Sequence, residues 1–221
     1  MDKQQIIQRM SECGISAVFR TDDTAALIPA AAAFCAGGVP IIEFTMTMPK
    51  AVSLIERAAA ELPAGAILGA GTVLDAATAR TAILAGAQFI VSPVTDAEVV
   101  DLCHRYGVLV IPGVMTPNEI MQALRLGVEM IKIFPSCSLG PDGFAEILGP
   151  FPGLRLVAAA VGGLNRVADY IAAGAEVVCV PGQGVDAQAF AERRFDAITR
   201  IARDLVATVQ ATRQRQAGRQ R

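Results

Sequence analysis

Lysine occurs at only three positions, 3, 50 and 132, although lysine and arginine together number 19. Arginine therefore supplies nearly all of the solvated basic surface, and Lys132 stands out between Ile131 and Ile133. If that run is a strand, side chains alternate between its two faces. Met130, Lys132 and Phe134 then share one face, and Ile131 and Ile133 the other. With the isoleucines packed on helices, Lys132 points inward, where burial disfavours an ammonium and leaves a neutral amine free to act as nucleophile. Amine and ketone condense to a Schiff base, an electron sink for breaking or making a carbon–carbon bond. Glu43, late in the apolar run Val39–Phe44, is the natural partner. It serves either as the acid–base that moves protons around an imine or as the carboxylate of a structural ion pair, and position alone leaves both open.

Three further features belong with these two. Arg20 follows the run Ile15–Phe19 and could grip a carboxylate or phosphate; the alternative is a loop arginine beside Asp22 and Asp23. Thr72 closes Gly69-Ala70-Gly71-Thr72, whose glycines let backbone N–H groups approach an anion; its plainer role is to cap the next helix. Gly162-Gly163 and Pro181-Gly182-Gln183-Gly184 are glycine-bearing loops of the kind that cradle phosphate. The single histidine, His104, falls in a helical stretch away from any strand end, so neither a histidine metal site nor a Ser-His-Asp triad is expected.

The elements that must carry these residues recur along the chain. A helical stretch, a glycine and a short apolar run follow one another eight times, beginning at Gly14, Gly38, Gly65, Gly86, Gly107, Gly127, Gly153 and Gly174. The glycines suit helix ends, and runs apolar on both faces suit parallel strands covered on each side. Thr24, Asp75, Thr95, Thr116-Pro117 and Asn165 are expected to open helices. Eight strand–helix units predict one α/β domain, a (β/α)8 or TIM barrel spanning 1–210 with a short N-terminal helix. The rival is an open doubly wound sheet, but its dinucleotide fingerprint is incomplete, since Leu74 stands where a third glycine would. Ionisable residues late in barrel strands mark the active-site end, and Arg20, Glu43 and Lys132 are the three that qualify. The remainder, 211–221, reads as a polar, basic tail, with Arg213, Arg215, Arg219 and Arg221 on a solvated, frayed helix end.

Composition narrows the classes. A chain 53% hydrophobic and 18% charged has ample surface to bury, which excludes disorder. A net charge of -2 argues against a general nucleic-acid binder. Mean hydropathy is +0.46, and the uncharged run Ala25–Ile42 approaches the length of a membrane span. Its alanines, Pro29, Gly37, Gly38 and Pro40 instead predict a buried helix, a turn and a buried strand. No signal peptide is read at Met1–Arg9, and five scattered cysteines read as buried thiols in a reducing compartment. The expectation is a cytoplasmic protein without membrane or nucleic-acid partners.

Several stretches together resemble the KDPG/KHG aldolases, class I enzymes acting on 2-keto-3-deoxy-6-phosphogluconate and 4-hydroxy-2-oxoglutarate. They are Ile42-Glu43-Phe44-Thr45, Gly69 to Leu74, Ala85 to Pro93, Ile111-Pro112-Gly113, Ile131 to Pro135 and Gly162-Gly163, within Ser11 to Val185. The resemblance implies a TIM barrel, a homotrimer, a small keto-acid substrate and no metal or other cofactor. It implies Lys132 as Schiff-base lysine, Glu43 as acid–base and Thr72 at the pyruvyl carboxylate. Pro93 and Phe134 would line the pocket, and Arg20 would contact anionic or hydroxyl groups. Gly162, Gly163, Gly182 and Gln183, in the two glycine-bearing loops, are read as substrate-binding from their place in the barrel. Some members carry arginine at the place of Thr47 and threonine at the place of Val161, and many carry a serine where Gln183 stands. The stretch around Lys132 to Pro141, with Val161, is closer to the 6-phosphogalactonate branch. Three other functions fit such a barrel: an aldolase for a non-phosphorylated keto-deoxy acid, a phosphosugar isomerase or epimerase with Glu43 as base, and a binding protein without turnover.

Overall fold

The computed structural model describes residues 1–219. Its strands are β1 (Ile15–Phe19), β2 (Ile41–Thr45), β3 (Ile67–Gly71), β4 (Phe89–Val91), β5 (Leu109–Ile111), β6 (Gly113–Val114), β7 (Ile131–Ile133), β8 (Leu156–Ala158) and β9 (Val177–Pro181). All pair in parallel, in the order β5-β4-β3-β2-β1-β9-β8-β7-β6. The two ends of that order are one continuous segment interrupted at Pro112, which has no N–H to donate. Its carbonyl still accepts from the Lys132 N–H at 2.9 Å. The sheet thus closes into a barrel of eight staves, the fold expected from the eight units.

Among the described residues ten helices cover it: α1 (Lys3–Cys13), α2 (Leu27–Ala36), α3 (Ala51–Glu61), α4 (Ala76–Leu84), α5 (Ala97–Tyr106), α6 (Pro117–Arg125), α7 (Gly140–Leu148), α8 (Val167–Ala172), α9 (Ala187–Ala191) and α10 (Phe195–Arg219). All eight unit glycines have positive φ, between 66° and 111°, which is why that residue recurs at the turn into each strand. Asp75 and Thr116 cap α4 and α6 as expected. Other starts differ: Asp96 rather than Thr95 caps α5, and Thr24 and Asn165 lie in short 3-10 turns before α2 and α8. Thr95 instead donates to the Gly113 carbonyl at 3.2 Å.

Two apolar layers divide the strands. Outward residues such as Ile42, Phe44, Ile131 and Ile133 pack on the helices. Inward residues, among them Ile41, Ile67, Phe89, Met130 and Val177, fill the barrel and meet Ile6, Ile7 and Met10 of α1, which closes the N-terminal end. The uncharged run from Ala25 becomes α2, a turn and β2. Its small side chains are needed because at Gly37 an added Cβ would overlap Ala202 of α10. No helix among the described residues is long and apolar enough to cross a membrane.

The tail departs from expectation. Helix α10 continues unbroken past 210 to Arg219, and Thr212 is buried. Arg213 donates to the carbonyls of Ser11 at 2.7 Å, Glu12 at 3.1 Å and Glu176 at 2.8 Å. Its partners lie in α1 and before β9, so tertiary contact orders a stretch whose local composition suggests fraying. Arg221 and the side chain of Arg219 lie outside the described residues.

Candidate active site

Alternation along β2 and β7 places Glu43 and Lys132 inside the barrel, at the C-terminal ends of staves on opposite sides. Both are nearly buried, at 3% and 8% exposure. Glu43 fits because β3 offers it space. A Cβ at Gly71 would overlap its carboxylate, and one at Gly69 would overlap the Phe89 ring. The two glycines therefore make room for an inward carboxyl and an inward ring, a role that their sequence context alone did not reveal.

Burial holds the Glu43 carboxyl above the ordinary carboxylate range, and the charges of Lys132 and Arg20 oppose that rise. Glu43 and Lys132 feel each other without a direct ion pair, since no N···O contact within 4.0 Å joins them. The structural-pair reading of Lys132 therefore lacks its bond. The Lys132 Nζ instead lies 4.9 Å from the centroid of the Phe134 ring, an aromatic that stays 37% exposed at the mouth.

Above this pair opens a cavity of about 480 Å³. Arg20, Glu43, Thr72, Lys132, Phe134, Gly162, Gly163 and Gln183 all line it, so eight of the ten residues singled out in the sequence converge there. Arg20 is no bystander to Asp22 and Asp23: its Nη2 donates to Thr72 Oγ1 at 3.0 Å. Thr72 does not cap α4; Asp75 does, accepting from the Thr78 N–H at 2.7 Å. Thr72 instead has φ 56°, a left-handed backbone that costs a β-branched residue energy and that clusters at functional sites.

Two expected residues do not reach the cavity. Pro93 is not among the lining residues, and its backbone is so close to Gly113 that any Cβ there would overlap it. Gly182 faces the helix layer instead, where a Cβ would strike the outward Phe19 ring, and its N–H donates to the Val18 carbonyl at 2.7 Å. His104 is exposed on α5. No group of three or more potential metal-ligating side chains forms among the described residues.

Sequence reading missed the apolar wall, formed by Val18, Ala159 to Val161, Cys179 and Val180. For Cys179 a signal existed. Alternation along β9 puts it on the same inward face as Val177, and its thiol is pushed up to about 12 by burial, with Glu43 adding to the rise and Lys132 opposing it. Ser136 was also overlooked. It is fully buried, donates to the Ile133 carbonyl at 2.8 Å and accepts from the Ala159 N–H at 3.1 Å, stapling the segment after β7 to the segment after β8.

A closed parallel barrel with an amine and a carboxyl buried at its C-terminal mouth places the chain among the TIM-barrel enzymes. Comparison with known proteins narrows this further. Residues 6–201 match the family described as KDPG and KHG aldolase, and the chain belongs to that family of carbon–carbon lyases. It is 31% identical over 209 residues to the 2-dehydro-3-deoxy-phosphogluconate aldolase of Treponema pallidum, covering 93% of this chain and 96% of that protein. A probable 2-dehydro-3-deoxy-6-phosphogalactonate aldolase of Rhizobium meliloti is 39% identical over 139 residues, 62% of this chain and 65% of that one. Among solved structures, the 2-keto-3-deoxy-6-phosphogluconate aldolase of Zymomonas mobilis ZM4 with 3-phosphoglycerate superposes with TM-score 0.78 at 27% identity, covering 90% and 95% of the two chains.

Proposed function

We propose that this protein is a class I aldolase that cleaves a 2-keto-3-deoxy sugar acid to pyruvate and an aldehyde. The observation that carries this reading is the buried amine of Lys132, facing the cavity together with Glu43 yet not ion-paired to it. The Lys132 Nζ attacks the C2 ketone to give a carbinolamine, which takes up a proton and loses water to form a protonated imine. Glu43 takes the proton of the C4 hydroxyl as the C3–C4 bond breaks. The bonding pair moves into the protonated imine, leaving an enamine, and the aldehyde departs. Protonation at C3 and hydrolysis release pyruvate and restore the lysine. A carboxyl raised by burial suits this shuttle, because it gains and loses a proton nearer neutral pH than an exposed one.

Arg20 and Thr72 form the polar corner of the cavity and are assigned to the substrate's anionic groups. The chain turns sharply at Gly162 and Gly163, at φ 89° and 158°. There the wall can bring backbone close to the far end of the substrate. The names of the relatives support a 6-phosphogluconate or 6-phosphogalactonate type of acid, with 4-hydroxy-2-oxoglutarate as the shorter candidate. Leu74 and Val94 beside the mouth and Met121 and Leu124 on α6 are exposed apolar side chains. They support assembly as a homotrimer, which light scattering reads as three chain masses. Five unpaired cysteines support a reducing, cytoplasmic setting.

Borohydride reduction in the presence of pyruvate is expected to leave the pyruvyl mass on Lys132. Lys132→Ala is expected to lose both trapping and cleavage; cleavage that persists in this variant overturns the assignment. Turnover of a sugar phosphate without trapping would favour an isomerase. A pyruvate-release assay across the three keto acids ranks the substrates.

A further inference from the structure

We propose that Gln183 is a positioning residue for Arg20, its side-chain amide replacing a missing rung of the β1–β9 ladder. The proposal rests on the reading of Arg20 as a substrate-contacting group given above, and it moves Gln183 from substrate ligand to support. Strands β1 and β9 pair in register from Ile15 with Val178 to Val18 with Pro181. Two residues further, the same register sets Arg20 opposite Gln183. The main chains do not bond to each other there. Instead Gln183 Nε2 donates to the Arg20 carbonyl at 2.7 Å, and the Arg20 N–H donates to Gln183 Oε1 at 3.2 Å.

A carboxamide carries the same planar donor and acceptor as a peptide group, so it can satisfy both backbone groups of one residue at once. Serine is too short to reach both, and an ionised glutamate accepts but cannot donate, leaving the Arg20 carbonyl facing a negative charge. The far end of the loop is held in a comparable way. Arg193 grips Asp23 with two hydrogen bonds, at 2.7 and 2.9 Å. The segment Arg20–Asp23 is thus fixed at both ends by side chains that follow β9. From that fixed backbone the Arg20 guanidinium reaches Thr72 across the mouth. A guanidinium held in place loses less freedom on gripping an anion than one on a loose loop.

The test compares Gln183→Leu, Arg20→Ala and the double variant in the full-length enzyme, assaying pyruvate release from the most rapidly cleaved of the three keto acids. Gln183→Leu is expected to lower kcat/KM about tenfold, mostly through KM. In the double variant the loss is expected to equal that of Arg20→Ala alone, because Gln183 acts only through Arg20. Effects that multiply would mean that Gln183 touches substrate itself and overturn the proposal. A readout independent of activity guards against misfolded variants. In the ¹⁵N-labelled wild-type protein one proton of the Gln183 side-chain NH₂ should be protected from solvent exchange. Exchange of both protons at the rate of a free carboxamide overturns the latch. Should pyruvate fail to trap on Lys132 while this amide stays protected, the aldolase reading falls and the latch remains.

Discussion

At the N-terminal end of the staves, α1 lies across the barrel with Ile6, Ile7 and Met10 buried against the inward apolar residues. Its start is closed by a capping box between Asp2 and Gln5. Lys3 pairs with Glu129, Ser11 bonds Glu176, and Arg213 satisfies three carbonyls. At the C-terminal end the same barrel leaves polar groups poised. Glu43 is buried with two cationic neighbours but no hydrogen bond that lowers its pKa. Thr72 and Ala160 both hold a left-handed backbone at φ 56°. One end buries apolar surface and ties most of its polar groups to partners, although Ser16 Oγ and Glu129 Oε2 are buried without one; the other retains desolvated charge and strain. Chemistry is concentrated where stability is given up, and the closed end supplies the rigidity that holds the open end in shape.

That contrast can be broken at either end. The largest effect is expected from Glu43→Gln. Cleavage should fall by about 10²- to 10⁴-fold, while the melting temperature stays level or rises, since a costly buried charge is gone. A variant that is both active and less stable would invert the contrast. Gly71→Ala should strike both properties, because its methyl group must displace the Glu43 carboxylate. A loss of about 1–3 kcal/mol of stability with a sharply lower kcat is expected from denaturant titration and steady-state kinetics.

At the other end, Arg213→Ala should cost about 1–3 kcal/mol by leaving carbonyls of α1 and the β9 approach without their donor. Its kcat should match wild type, and a drop in kcat would show that the two ends are coupled. The smallest effect concerns pH. The fold favours the protonated form of Glu43, so the stability linked to this group is fully present below the ordinary carboxylate value. It is lost as pH rises through the raised value in the folded state. The acid limb of kcat/KM should accordingly lie above the ordinary carboxylate range. Removing the opposing charge in Arg20→Ala should move that limb higher still; a limb moved downward would contradict the assignment of Arg20's charge to this pocket.

Much of this was legible beforehand where information is local. Alternation around Lys132 was enough to place Met130 and Lys132 inside and the isoleucines outside, because a strand's period is two whatever its neighbours. Pro93 and Gly182 lie off the cavity lining because their surroundings come from other staves: the close backbone of Gly113 in one case and the Phe19 ring in the other. The order of the tail depends on distant contacts for the same reason, since Arg213 finds carbonyls about 200 residues away in sequence. The bond from Gln183 to Arg20 spans a similar distance.

The amino-acid order alone determined eight repeats, the face on which each strand residue lies, and a lysine set among aliphatic neighbours, since all of these follow from backbone geometry and hydrophobic periodicity. Only closure of the barrel decided which inward residues meet. It set an amine and a carboxyl at one mouth without bonding them, used two glycines to admit a carboxylate, and turned a glutamine into support for an arginine. Those outcomes depend on stagger and packing between distant staves, which no local pattern encodes.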